Sequence, residues 1–115
     1  MIVKYNDDLK SPECLISNTA LALNKLGQDL QTMSESRFYK SEQKDTEGFY
    51  NTVLMGVSFV IEDDDSDKIA LNLNEGTFVI SGNKIAISDL GESLTNIFND
   101  DTKAGAHLHL SLIHI

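Results

Sequence analysis

Six consecutive positions, Glu62-Asp63-Asp64-Asp65-Ser66-Asp67, hold five of the eighteen acidic residues of this chain. Carboxylates at that density offer two kinds of chemistry, ligation of a cation or attraction of a basic partner. Asp63, Asp65 and Asp67 match the D-x-D-x-D opening of a calcium loop. The sixth position, where glycine permits the sharp turn, is Lys68, and the twelfth, where a bidentate glutamate closes the site, is Asn74. No calcium site of that type is expected. The run reads either as a solvated turn or as a negative surface that speeds and orients association with a basic protein. Asp100 and Asp101 form a second, smaller patch of the same kind.

His107 and His109 lie two apart in an alternating segment, so on a strand their rings share a face at about 6 to 7 Å. A transition metal needs a third or fourth ligand, and no Cys, Asp or Glu stands beside them in that segment. The expectation is therefore no metal, with the pair facing solvent or a neighbouring strand, or else contacting a ligand. Leu108, Leu110 and Leu112 take the opposite, core-facing side, which His114 shares as a partly buried imidazole. The single cysteine, Cys14, precedes Leu15-Ile16 without a histidine nearby to activate it, and reads as a small packed residue. There is no glycine-rich phosphate loop, no G-x-S-x-G elbow and no H-E-x-x-H pair. No enzymatic activity and no cofactor are expected.

Eighteen acidic residues against nine basic ones give a net charge of −9. That charge disfavours phosphate backbones and anionic lipid as partners and favours a basic protein, or serves solubility alone. The basic residues are scattered, so no nucleic-acid surface can be drawn. The segment MIVKYNDDLK lacks the charged and apolar regions of a signal peptide, and no apolar run reaches membrane-spanning length. Together with the lone cysteine, this points to a soluble cytoplasmic protein.

The elements that must position these residues come in duplicate. Leu15 to Met33 (LISNTALALNKLGQDLQTM) and Val79 to Ile97 (VISGNKIAISDLGESLTNI), sixty-four residues apart, share six identities in nineteen ungapped positions. Apolar residues match elsewhere, as at Leu21/Ile85 and Met33/Ile97. After a short apolar run, each copy carries a helical stripe. The first has Leu23, Leu26, Gly27, Leu30 and Met33, and the second Ile87, Leu90, Gly91, Leu94, Ile97 and Phe98. Ser17 or Asn18, and Ser81 or Asn83, are suitable caps, so the stripes predict helices over about 19–34 and 84–98. An alternative makes Lys84 to Ile87 a strand, since Ile85 and Ile87 alternate, but the first copy has the helix-forming Ala-Leu-Ala-Leu there. Gly27 and Gly91 inside the stripes require a compensating close approach of backbone.

Strands fill the remainder. Ile2 to Tyr5 opens the chain and Thr52 to Glu62 reads as one long apolar strand. Ile69 to Leu73 and Thr77 to Ser81 form a hairpin about Asn74-Glu75-Gly76, and His107 to Ile115 closes the chain. Ser34 to Gly48 is expected to be a loop whose Phe38 and Tyr39 either cover the core or meet a partner. The whole, residues 1–115, reads as one α+β domain, a two-layer sandwich. Its sheet is mainly antiparallel, with two helices on one face, and its strand-strand-helix-strand units span about 1–62 and 68–115.

In the second unit, Ile80-Ser81-Gly82-Asn83-Lys84, a leucine-striped helix and then Gly105-Ala106-His107-Leu108-His109-Leu110 resemble a family of small bacterial proteins. These are classed as immunity proteins of polymorphic and contact-dependent toxin systems, and the likeness spans residues 79–110. It implies a non-enzymatic protein that binds and neutralises a cognate toxin. A nuclease toxin with a basic, phosphate-binding surface suits the charge, and Glu62, Asp63, Asp64, Asp65 and Asp67, with Asp100 and Asp101, are the expected contacts. The competing expectation is a structural or regulatory module that forms a homodimer through a sheet edge, because SLIHI at the C-terminus carries no charged or proline guard.

Overall fold

A computed structural model describes residues 2–6, 13–42, 52–98 and 106–111. Its elements are β1 (Ile2–Asn6), β2 (Glu13–Asn18), α1 (Ala20–Thr32), β3 (Arg37–Lys40), β4 (Thr52–Val53), β5 (Gly56–Ile61), β6 (Ala70–Asn74), β7 (Thr77–Gly82), α2 (Lys84–Ile97) and β8 (Ala106–Ser111). The sequence repeat is a repeat of backbone. Moving β2 along by sixty-four residues gives β7, and the same step carries the cap Thr19 to the cap Asn83 and the first helical residue Ala20 to Lys84. Both units open with an antiparallel hairpin, Ile2 lying opposite Ser17 and Ala70 opposite Ser81. The second hairpin turns tightly through Glu75 and Gly76, both at positive φ (50° and 81°), the geometry of a two-residue turn.

The strands form two four-stranded sheets, β4-β1-β2-β8 and β3-β5-β7-β6. Every pairing is antiparallel except β5 with β7. The architecture is α+β, with both helices packed on the sheets. The strand that follows each helix joins the other unit's sheet. Thus β3 lies in the sheet of β6 and β7, and β8 in the sheet of β1 and β2. This exchange locks the two halves together.

Two expectations about strands change. The long strand from Thr52 to Glu62 is broken between the sheets, because consecutive amides serve different ones. Leu54 N–H donates to the Val3 carbonyl (2.8 Å) in the first, while Met55 N–H donates to Gly76 (2.8 Å) in the second. The polar stretch after α1 is not all loop, since β3 runs antiparallel to β5 within it. Its Tyr39 meets Phe59 edge to face (5.7 Å between centroids) while Phe38 stays 49% exposed, so the two aromatics divide between core and surface. Ser41 joins the sheets just beyond. Its N–H donates to Met55 (2.9 Å), and its buried Oγ accepts from Val3 N–H (2.7 Å).

The core is made of the inward residues of both sheets, among them Val3, Ile16, Val57, Phe59, Phe78 and Ile80, against Leu23, Leu30, Ile87 and Leu94 of the helices. The helices cross at the two glycines. A Cβ added to Gly27 would lie 2.6 Å from the Gly91 carbonyl oxygen, and one added to Gly91 would lie 2.5 Å from that of Gly27. Each helix therefore presents bare backbone to the other at equivalent positions, which places a pseudo-two-fold at the crossing. Asn24 of α1 adds a polar tie, donating to the Thr95 (3.2 Å) and Phe98 (3.0 Å) carbonyls at the end of α2.

Helix ends depart from expectation in two places. The first cap is Thr19, whose side chain accepts from Ala22 N–H, and Asn18 instead accepts from Thr19 N–H (2.8 Å). The stripe residue Ile97 is 64% exposed whereas its counterpart Met33 is buried. Met33 has already left its helix in an extended conformation and turns inward. Ile97 is still helical and points outward, and Phe98 packs against the core in its place.

Candidate functional site at the head of the second helix

The acidic run links β5 to β6 and lies against the start of α2. Glu62 N–H donates to the Gly82 carbonyl (2.8 Å), which holds the beginning of the loop beside the end of β7. Within the loop, Ser66 N–H donates to the Asp64 carboxylate (2.9 Å), a local turn closed by a side chain. The other anchor is Asn83, whose amide has both an acceptor and a donor to offer. Its oxygen caps α2 by accepting from Ala86 N–H (2.8 Å), and its nitrogen donates to the Asp64 carbonyl (3.3 Å) and to the Asp67 carboxylate. One nearly buried side chain thus starts the helix and fixes the loop.

This anchoring sorts the expected contact residues. Glu62, Asp63 and Asp64 line a shallow groove whose other walls are Ile61, Asn83, Lys84 and the exposed Ile85. Asp65 is exposed between the two anchored positions. Asp67 faces Asn83 and is committed to holding the loop. Asp100 and Asp101 lie outside the described residues. Among the described residues the ion pair is Lys25 with Asp29 on α1, so the loop carboxylates of Glu62, Asp63, Asp64 and Asp65 have no basic partner within ion-pair distance. Three carboxylates beside Ile61 and Ile85, against the single cation Lys84, suit a cationic side chain with an aliphatic stem.

Sequence reasoning found the acids but missed the second role of Asn83 and the exposure of Ile85. The first was within reach, since asparagine is among the few capping residues that can also donate. The second was not, because Ile85 repeats the apolar Leu21 of the first unit, and both are exposed (58% and 65%) on the outer side of a first helical turn.

The histidine segment is strand β8, with His107 opposite Ser17 and His109 opposite Leu15. Leu108 and Leu110 stand opposite the buried Ile16 and Cys14. His114 and Leu112 fall outside the described residues. No group of three or more metal-ligating side chains occurs among the described residues. No helix described is long and apolar enough to cross a membrane. No family model, curated protein or solved structure matches the chain.

Proposed function

We propose that the chain is a non-enzymatic immunity protein that binds and neutralises a cognate bacterial toxin, a nuclease with a basic active-site surface. The observation that carries the reading is the anchored acidic loop. Among the described residues none of its carboxylates forms an ion pair, and Glu62, Asp63 and Asp64 border a groove that Ile61 and Ile85 also line. Asn83 restrains the loop before any partner arrives, which lowers the ordering cost of binding. A net charge of −9 extends the attraction beyond contact distance. The likeness of the Ser81-Gly82-Asn83-Lys84 entry and the His107-Leu108-His109-Leu110 strand to toxin-immunity proteins supports the same reading from the sequence side.

The test is co-expression with the product of the neighbouring gene. The expected result is an equimolar complex in which the toxin's cleavage of nucleic acid is suppressed. Failure to bind that product, or binding without loss of its activity, contradicts the proposal.

A further inference from the structure

The open face of the second sheet differs in charge from the rest of the molecule. One row of register, Phe38, Ser58, Val79 and Asn72, crosses all four strands without an ionisable group. Phe38 (49% exposed) and Met55 (59%) border a groove floored by Val60 and Val79. Among the described acidic residues, Glu75 alone lines it. The acidic loop is held by Asn83 at the start of α2, and none of its residues lines this groove.

We infer that this face is a homodimer interface, two copies stacking sheet to sheet about a two-fold axis parallel to the strands. The charges at its margins select that axis. Lys40 ends the β3 edge, in the row that runs through Gly56 and Thr77 to Asn74, and Glu75 follows Asn74 at the opposite edge. Rotation about an axis along the strands lays β3 of one copy over β6 of the other and keeps the strand ends together. Lys40 of each copy then faces Glu75 of its partner, twice over. An axis across the strands would instead set Lys40 over the Arg37 end of the partner's β3, where Arg37 belongs to the opposite face in register with buried Phe59, and Glu75 over the Ala70 end of its β6, pairing neither charge. Four strands at about 4.8 Å and five to six residues at about 3.3 Å make a face of roughly 300 to 400 Å² per copy, about half a standard interface. The dimer is accordingly weak and concentration-dependent.

Sedimentation velocity of the chain alone, from roughly 10 μM to 1 mM, tests this in the range where small interfaces associate. The expected average mass rises from one copy toward two. Phe38→Asp, checked for native circular dichroism, stays monomeric throughout. Lys40→Glu and Glu75→Lys each weaken the dimer about threefold to tenfold, and the two together restore it, since exchange of sign recreates both pairs. A chain still monomeric at the highest concentration overturns the inference. So does a dimer that Phe38→Asp leaves intact, or one that the double reversal fails to restore.

Discussion

At the scale of single residues, Asn83 and Ser41 each satisfy groups from distant parts of the chain. Thr19→Ala removes one capping acceptor and should cost about 1 kcal/mol in urea denaturation. Asn83→Ala removes the equivalent cap and also the two donors that hold the acidic loop, so it should cost more, about 1.5 to 3 kcal/mol. Asn83→Asp separates the two effects. It keeps an oxygen for Ala86 N–H but sets a carboxylate against Asp67, so helix stability should largely survive while amide exchange in residues 64–67 accelerates. Equal losses for Thr19→Ala and Asn83→Ala, with no change in loop exchange, would make Asn83 an ordinary cap. Ser41→Ala strands the buried Val3 N–H, and a loss of about 1 to 3 kcal/mol is expected.

At the scale of elements, the helix crossing makes an inverted prediction. Gly→Ala inside a helix ordinarily gains about 1 kcal/mol. Here the added methyl meets the facing helix's carbonyl oxygen, and also Leu94 Cβ (2.9 Å) for Gly27 or Leu30 Cβ (2.9 Å) for Gly91. Gly27→Ala and Gly91→Ala should therefore each destabilise, by about 1 to 3 kcal/mol and to a similar extent. A gain at either position would remove the pseudo-two-fold from that crossing. Leu30→Ala and Leu94→Ala, also sixty-four residues apart and fully buried, should each cost about 2 to 5 kcal/mol. Exposed Ile97 should tolerate Ala within about 0.5 kcal/mol.

These elements also mark what could be read in advance. The repeat, the glycine pair and both helices were legible because an apolar stripe of period 3.6 and its intolerance of glycine are local signals. The break at Leu54-Met55 was hidden, since an uninterrupted apolar run looks the same whether its amides serve one sheet or two. The exchange of β3 and β8 is a matter of topology, and nothing in the polar residues before Arg37 announces a strand that gains its partner from the other half. The acids of the loop were evident from composition. That Asp67 accepts from Asn83 and Glu62, Asp63 and Asp64 border a groove follows from the position of Asn83 in the fold.

For the molecule as a whole, duplication supplies the scaffold and the acidic loop breaks its symmetry, and the proposed function rests on that one end. Neutralising Glu62, Asp63, Asp64 and Asp65 as the corresponding amides, with Asp67 kept for Asn83, should change unfolding stability by no more than about 0.5 kcal/mol, because the four side chains are exposed. The most direct test of the inhibitor reading is the association rate of this variant and the parent chain with the co-purified toxin domain. Rates would be measured by stopped flow at about 20 mM and about 500 mM salt, where screening lengths differ severalfold. The parent should associate at least about tenfold more slowly at the higher salt, and the variant should be slower than the parent at low salt and nearly indifferent to its increase. Identical rates and identical salt dependence for the two proteins would contradict the claim that this loop is the binding surface.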